Sequence, residues 1–464
     1  MLTRRAFAQI AAASVTGVAQ AGRAVEAQHA NPETLAHTRA AEAQALRKFA
    51  ERTSPRGLEA ASSSRWRRDW AAFEQRANTL SDTAYVIGLR RLLGWFREGH
   101  TTIVPFEFLG SPPPALKDGP WGFSYPIKAR PFHDGLWITE AAAGAQSLLG
   151  TRIRAIGDRP VEEIMHEHAK AWPAENPAWA HNWAGILASS VGMLQGLGVA
   201  RRPVDRPLRF DASPANDSPV TAMLVPQATA GISRNTLQRA TGLIERQRAV
   251  LSAGNFSAPL NDGRVLYVSI DDMADLDGLS FAHFTETIVG NLEASGLQRL
   301  IIDLRRNGGG DNYLAEPLRH ELARSRFNRP GGMYLLIGPA TFSAAQNFAN
   351  RLERECFTTF VGEPTGSAPN LVGDAGYSVG EVTGITAMVA RLRWFDGGPD
   401  DKRRWIAPDI AVPALYADWL AGRDPALEAA ISAPDGSRGS FASRVRYFER
   451  ASQQAHWNPF WNPQ

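Results

Sequence analysis

Two strand-like segments, each ending in a change of backbone direction, constrain the fold more than any other feature of the sequence. Residues 299–304 are apolar almost throughout and run into the turn Arg305-Arg306-Asn307-Gly308-Gly309-Gly310. A second segment, Met333 to Gly338, leads through Thr341 and Phe342 to Ser343, where a helical pattern begins. Strands that are apolar on both faces and alternate with helices are typical of a buried, mainly parallel sheet. We therefore expect an α/β core in this part of the chain.

Ser343 lies where the second strand gives way to a helix. Backbone N–H groups are unpaired at the start of a helix, and the helix dipole makes that end positive. A glycine-rich turn after a neighbouring strand lets the main chain approach a reacting atom closely. The combination predicts a serine nucleophile with an oxyanion hole beside it.

The length and charge of the chain limit the other possibilities. Its 464 residues exceed the roughly 250 to 300 at which one hydrophobic core stops growing, so we expect several domains. Lysine and arginine number 50 against 47 acidic residues, a formal charge of only +3, which gives no case for nucleic acid. After the N-terminus no stretch approaches the roughly 18 uninterrupted apolar residues of a membrane span.

The N-terminus resembles a twin-arginine export signal. Arg4-Arg5 is followed by a mildly apolar, alanine-rich run and by Ala19-Gln20-Ala21, a small-residue cleavage pattern. An ordinary Sec signal and a frayed amphipathic helix are the alternatives. We expect residues 1–21 to be an export signal, and the protein to be periplasmic or secreted.

Two further segments have a recognisable character. Residues 30–105 have the apolar spacing of helices, up to Gly99, after which a β-branched run begins and places His100 at a junction. Residues 148–164 have the pattern of a strand, a tight Gly-Asp turn and a short helix, which resembles a PDZ-type module that binds an extended peptide by strand addition. A small β-subdomain that braces the fold without a ligand is the alternative.

Several ordered motifs between residues 263 and 415 resemble the catalytic domain of the tail-specific, or C-terminal processing, serine peptidases. They are the segments 301–310, Thr341-Phe342-Ser343-Ala344-Ala345, Val361-Gly362-Glu363-Pro364-Thr365-Gly366 and Ala407-Pro408-Asp409-Ile410-Ala411-Val412. The resemblance implies a mixed α/β multidomain protein with a crotonase-like ββα-spiral catalytic domain. It also implies that Ser343 is the nucleophile and that N–H groups of Gly308, Gly309 and Ala344 form the oxyanion hole.

The resemblance gives a predicted division of the whole chain. It comprises an export signal at 1–21, a helical subdomain at 30–105, a PDZ-like subdomain at 110–170, a helical and loop connector at 171–260, a crotonase-like catalytic domain at 261–430 and a C-terminal extension at 431–464.

The residue expected to activate the serine differs from the one used in the processing-peptidase branch of this family. In the processing peptidases a lysine just after the nucleophile helix takes the proton, but residues 366–373 contain no lysine. The five lysines of the chain are Lys48, Lys117, Lys128, Lys170 and Lys402. The tricorn-like branch uses a histidine followed by threonine ahead of the PDZ-like module, and Gly99-His100-Thr101 matches that pattern. His100 is therefore the predicted general base, although a histidine that only caps a helix end is the alternative.

A catalytic imidazole usually needs an acid that fixes its tautomer. In the tricorn-like pattern the acid lies shortly before the pair Pro408-Asp409, so Asp400 and Asp401 are the candidates, and we prefer Asp401. A solvated charge run over residues 400–404 is the alternative for both. Gln346 stands where the family usually has glutamate, one helical turn after the nucleophile, and it cannot act as a base.

Other polar groups are better explained without catalysis. Asp303, Arg305 and Asn307 are expected to hold the glycine turn. His166 and His168 are two apart on a predicted helix and face different ways, so no metal site is expected there, and the mechanism requires no cofactor.

The leading hypothesis is an exported serine peptidase whose partner is a peptide or protein substrate. The alternatives are an esterase and a non-catalytic ligand- or peptide-binding protein on the same fold. The sequence makes no prediction of the oligomeric state or the substrate preference.

Overall fold

The computed structural model describes residues 38–434, apart from 110, 201–205, 215–218, 231, 243, 247–248, 250–253 and 277. The predicted export signal at 1–21 and all but the first four residues of the predicted extension at 431–464 lie outside the described residues. No helix in the described ranges is long and apolar enough to cross a membrane.

The N-terminal part of the described chain is helical, as predicted. Its elements are α1 Arg39–Thr53, α2 Gly57–Ser62, α3 Ser64–Arg76, α4 Asp82–Leu93, the two-residue strand β1 Thr102–Ile103 and α5 Phe106–Leu109. Helix α1 begins where the Thr38 hydroxyl accepts the Ala41 N–H at 3.2 Å. Buried rings, among them Trp66, Trp70 and Tyr85, pack the helices together.

A seven-stranded sheet and three helices follow. The elements are β2 Phe123–Ser124, β3 Ile127–Phe132, β4 Gly135–Ala141, β5 Arg152–Ile156, β6 Arg159–Pro160, α6 Val161–Ala171, α7 Pro177–Asn182, α8 Val191–Gly196, β7 Leu208–Ser213, β8 Val220–Leu224, β9 Gln227–Ala228 and β10 Asn235–Thr236. The predicted strand, Gly-Asp turn and helix are β5, Gly157-Asp158 and α6. Strands β7 and β8, from the predicted connector, extend the same sheet in the order β10-β4-β5-β7-β8. The PDZ-like character and the domain boundaries stay predictions.

The second half of the chain builds a mainly parallel sheet, as predicted. Its elements are β11 Phe256–Leu260, β12 Val265–Ser269, α9 Phe281–Leu292, β13 Arg299–Asp303, α10 Glu316–Arg324, β14 Met333–Ile337, α11 Ala344–Glu355, β15 Thr358–Gly362, β16 Val372–Gly373, β17 Gly376–Val379, β18 Thr386–Val389, β19 Leu392–Arg393, β20 Ile410–Ala411, α12 Tyr416–Leu420 and α13 Pro425–Ser432. The strand order is β11-β12-β13-β14-β15-β20, and every pairing except β11 with β12 is parallel. Apolar side chains fill both faces of the sheet.

The helical part is joined to the second half of the chain at β1, which pairs antiparallel with β18. The buried carboxylate of Glu42 on α1 accepts the N–H groups of Val382 and Thr383 and the hydroxyls of Thr383 and Tyr85. These contacts hold α1 against residues 382–383, which belong to the second half of the molecule. The fold is therefore a mixed α/β multidomain arrangement in which distant parts of the chain meet beside β18.

Candidate active site

Ser343 occupies a strained turn between β14 and α11. Its backbone has φ 55° and ψ −123°, a region that residues other than glycine rarely adopt, and its side chain is half-buried. Three hydrogen bonds hold the turn: Thr341 Oγ1 to Leu304 O at 3.0 Å, Phe342 N to Asn307 O at 3.1 Å and Ser343 N to Ser367 Oγ at 3.2 Å. Strain that the surroundings enforce in this way is common at functional sites.

His100 meets Ser343 across a sequence separation of 243 residues, with Nε2 2.9 Å from Oγ. His100 lies in the turn that precedes β1, as the junction predicted. The turn is fixed on both sides: Thr101 Oγ1 donates to Glu98 Oε2 at 2.9 Å and accepts from Ala390 N at 3.1 Å. The two residues predicted as nucleophile and base are thus within hydrogen-bond reach. Their catalytic roles stay predictions.

The imidazole of His100 is buried, with only 9% of the residue exposed. Burial lowers its pKa to about 4, because the charged form loses its hydration, while the backbone of Val372 acts in the opposite direction and is the smaller effect. Nδ1 has no hydrogen-bond partner of normal geometry in the described part of the chain. The ring is therefore neutral at ordinary pH, which is the state a general base requires.

Stacked aromatic rings support the imidazole from one side. His100 stacks on Phe342 with ring centroids 4.5 Å apart, and Phe342 stacks on Trp179 at 3.8 Å. Gly99 permits this packing, because a Cβ at that position would lie 2.7 Å from two atoms of the Phe342 ring. No sequence pattern indicated this stack.

The glycine turn after β13 lies against the nucleophile. As predicted, polar side chains hold it: Asn307 Nδ2 donates to Ile270 O at 2.9 Å, and Arg305 binds Asp303. A Cβ at Gly309 would lie 2.6 Å from Ser343 Cβ and 3.0 Å from its Oγ, so only glycine fits there.

One oxyanion assignment needs correction. The N–H of Gly309 already donates to Asn307 Oδ1 at 2.8 Å, so Gly309 serves the site through its missing side chain rather than as a donor. Ala344 is the first residue of α11, and its N–H therefore has no partner within the helix. Ala344 N would lie 3.0 Å from a Cβ at Gly309, beside the serine. The oxyanion roles of Ala344 and Gly308 stay predictions.

The prediction that Asp401 orients His100 is wrong. Both Asp401 oxygens accept hydrogen bonds from Arg403, whose Nη1 and Nη2 also donate to Glu353 on α11 at 2.9 and 2.6 Å. These three side chains are buried together and form a self-contained ion network. The imidazole has no bond to an acid, since Nε2 contacts Ser343 and Nδ1 is unpartnered among the described residues. Asp400, the other candidate, is exposed.

Two acids near His100 were not predicted from the sequence: Glu98 is buried, and Glu175 is half-buried with its Oε1 inaccessible to solvent. Glu175 Oε2 accepts the N–H of Gly99 at 3.2 Å, and burial raises its pKa to about 8. Burial likewise raises the pKa of Glu98 to about 7. Both carboxyls brace the turn that carries His100 without touching its ring. Glu175 lies in a segment without a motif, so no sequence pattern indicated it.

Gln346 is fully buried on α11, where its amide Nε2 donates to Asn350 Oδ1 at 2.9 Å. It therefore packs one turn beyond the nucleophile. Among the described residues no group of three or more His, Cys, Asp or Glu side chains is placed to hold a metal ion.

Comparison with known proteins shows that this chain is similar in fold to solved structures. No protein-family model and no curated protein matches the sequence. A crystal structure of a point mutant of CPAF superimposes with a TM-score of 0.55 at 12% identity, over 86% of this chain and 99% of that one. Mature CPAF gives 0.54 at 12% identity over 90% and 99%, and its complex with lactacystin gives 0.52 at 13% identity over 82% and 95%. This chain therefore has the fold of CPAF.

Proposed function

We propose that this protein is a serine peptidase in which Ser343 is the nucleophile and His100 the general base. The observation that carries the proposal is the 2.9 Å contact between Ser343 Oγ and His100 Nε2. The fold shared with CPAF supports it, as does the sequence resemblance to the tail-specific serine peptidases. A peptide or protein is the proposed substrate.

The proposed reaction begins with transfer of the Ser343 hydroxyl proton to His100 Nε2 as Oγ attacks the scissile carbonyl carbon. The N–H groups of Ala344 and Gly308 donate hydrogen bonds to the carbonyl oxygen and stabilise the negative charge that develops on it. Protonated His100 then gives its proton to the leaving amine, and water releases the acyl group by the same steps in reverse order.

The missing acid has a specific consequence for this mechanism. Nε2 must be the unprotonated nitrogen, so the proton of the neutral ring lies on Nδ1. No carboxylate stabilises the imidazolium directly in the described part of the chain. The orientation of the ring instead depends on the Phe342 stack and the braced turn. Rigid packing can place a base correctly, although it does not lower the energy of the charged ring.

A fluorophosphonate probe tests the nucleophile, because it reacts covalently with activated serines. We expect the intact protein to be labelled and Ser343→Ala to lose labelling while its circular dichroism spectrum is unchanged. Ser432→Ala is a matched control, since Ser432 lies at the end of α13 and bonds only within its helix. Undiminished labelling of Ser343→Ala would refute the assignment.

Substrate profiling separates peptidase from esterase. Hydrolysis of a peptide library that Ser343→Ala abolishes supports the peptidase. Turnover of small esters without any peptide cleavage favours an esterase. An intact protein that neither reacts with the probe nor turns over any substrate favours a binding protein on this fold.

We also propose export from the cytoplasm, because residues 1–21 resemble a twin-arginine signal. Fractionation of cells that express the full chain, with Arg4→Lys and Arg5→Lys substituted together as the comparison, tests this. Retention of both proteins in the cytoplasm would contradict it.

A further inference from the structure

A wide groove lies on the helical part of the molecule, outside the Ser343 site. Its volume is about 670 Å³. The turn before α2, helix α3, the end of α4, the turn after α4 and the end of α6 line it: Arg56, Arg65, Trp66, Asp69, Trp70, Arg91, Leu92, Gly94, Trp95, Arg97 and Lys170. The groove is therefore bounded by cations and tryptophan rings.

The lining is strongly unbalanced in charge. It contains five cations and one acid, Asp69. Arg65 lies 3.5 Å from Asp69, while Arg91 and Lys170 share a single carboxylate, that of Glu167, at 3.3 and 2.8 Å. The exposed side chain of Arg97 has no hydrogen-bond or ion-pair partner among the described residues. A net positive potential follows, because two cations share one acid and a third has none.

Trp95 gives the groove a partly exposed apolar ring, whereas Trp66 and Trp70 are buried behind the surface. Trp66 packs edge-on against Trp95 with ring centroids 5.5 Å apart, and the Arg56 guanidinium lies 4.9 Å from the Trp95 centroid. Arg56 is fixed there by Glu59 and by the carbonyl oxygen of Phe96, at 2.7 Å. An aromatic ring beside several cations suits a ligand that has both apolar groups and negative charge.

The groove and the proposed base are parts of one turn. Arg97, at the groove, is three residues before His100. Its backbone is held in the left-handed region at φ 54°, so the direction of the chain between the groove and the base is fixed. A ligand held at Arg97 therefore lies against the same turn that presents His100 to Ser343.

We propose that this groove binds an acidic segment of the polypeptide substrate, one in which aromatic or apolar residues are interspersed with aspartate or glutamate. The identity of this ligand as a substrate segment rests on the proposed peptidase function. Carboxylates would pair with Arg91, Arg97 and Lys170, and the apolar side chains would cover Trp95.

A polypeptide is favoured over a nucleic acid by the charge of the whole chain. The 50 basic and 47 acidic residues nearly cancel, whereas nucleic-acid sites normally extend as a basic face over many phosphates.

Binding to the full chain carrying Ser343→Ala tests the proposal without any cleavage. The probe is a fluorescein-labelled peptide of alternating glutamate and phenylalanine, the control peptide has glutamine in place of glutamate, and the readout is fluorescence anisotropy. We expect the acidic peptide to bind more tightly than the control and to lose affinity as salt is added.

Charge variants locate the binding. Arg97→Gln and Lys170→Gln together should weaken it by roughly tenfold, because two exposed charge contacts are lost. Lys48→Gln, an exposed lysine on α1 outside the groove, is the matched control and should leave affinity unchanged. Glu167→Gln should tighten binding by about threefold, because it frees Arg91 and Lys170 from their shared acid. A merely structural role of these residues does not predict a gain.

Equal affinity for the two peptides, or unchanged binding in the double variant, would overturn the proposal. Tighter binding of a single-stranded oligodeoxynucleotide than of the acidic peptide would also overturn it. Because Ser343→Ala is used throughout, a failed binding experiment leaves the proposed peptidase untouched. A failed labelling experiment with successful binding would refute the catalytic function alone.

Discussion

Trp179 and Phe342 stack face to face, with ring centroids 3.8 Å apart and planes 8° from parallel. Phe342 immediately precedes the nucleophile, and its other face lies against His100. Trp179 belongs to α7, whose cap residue Asn176 donates to the carbonyl oxygens of Thr365 and Arg404. The rings therefore link the connector to both proposed catalytic residues. In the proposed mechanism this packing takes the place of the acid that usually fixes a catalytic imidazole.

Phe342→Leu should reduce kcat/KM for a small ester by about tenfold or more, because an imidazole that is no longer stacked samples unproductive orientations. Trp179→Phe preserves a stacking ring and should keep most of the activity. Phe395→Leu is a control, since Phe395 is exposed and outside the stack. Steady-state kinetics, with thermal unfolding to compare stability, distinguish the variants. Full activity in Phe342→Leu would show that the stack does not position the base.

The pH dependence of catalysis should reveal the buried base. Below its pKa His100 is protonated and cannot accept the serine proton, and above it the ring is neutral and active. Because burial lowers that pKa to about 4 from 6.5, the acid limb of kcat/KM should fall near pH 4. The profile is measured only over the range in which circular dichroism reports a folded protein. An acid limb near pH 6.5 would contradict the burial of the imidazole.

Gly309→Ala should abolish fluorophosphonate labelling. The added Cβ would lie 2.6 Å from Ser343 Cβ, closer than non-bonded carbons approach, so the serine or the turn must move. Gly290→Ala is the matched control, since a Cβ there meets nothing within 4 Å and Gly290 lies inside α9. Labelling of Gly309→Ala at the normal rate would mean that the turn yields without disturbing the nucleophile.

The sequence predicted those parts of the site that depend on local pattern. Ser343 follows from a strand-to-helix junction, and His100 from the resemblance of Gly99-His100-Thr101 to the tricorn-like branch; their catalytic roles stay predictions. Asp401 was misassigned because its partners are set by tertiary packing: Arg403 lies two residues away, but Glu353 comes from α11. The contact of Glu175 with Gly99 could not be predicted for the same reason. Its contact with Gly99 joins positions 76 residues apart, and no periodicity or motif records such a pairing.

Asp401→Asn should affect stability rather than catalysis. Its side chain is 2% exposed and helps neutralise buried Arg403. Removing one charge of a buried ion network leaves the guanidinium underpaired, so we expect the free energy of unfolding to fall by about 3 kcal/mol. Urea denaturation measures this. Asp400→Asn, at an exposed position, is the control. A shifted acid limb of kcat/KM with unchanged stability would restore Asp401 as the partner of His100.

Glu175 makes stability depend on pH in the opposite sense from a salt-bridged acid. Burial raises its pKa from 4.5 to about 8, so the folded protein holds a proton that the unfolded chain has released. The stabilisation is complete below pH 4.5 and is lost as pH rises through about 8. The slope of this loss is up to about 1.4 kcal/mol per pH unit.

Glu175→Gln keeps an oxygen that accepts the Gly99 N–H but cannot ionise. Its free energy of unfolding should therefore exceed that of the unmodified protein at pH 8 by up to about 4 kcal/mol, and the difference should shrink as the pH is lowered towards 4.5. Urea denaturation at a series of pH values measures both proteins, with Glu293→Gln, exposed beyond α9, as the control. Other buried groups titrate equally in all three proteins and cancel in the comparison. Parallel curves for Glu175→Gln and the unmodified protein would mean that Glu175 is ionised in the fold, and that the turn beneath His100 carries a negative charge.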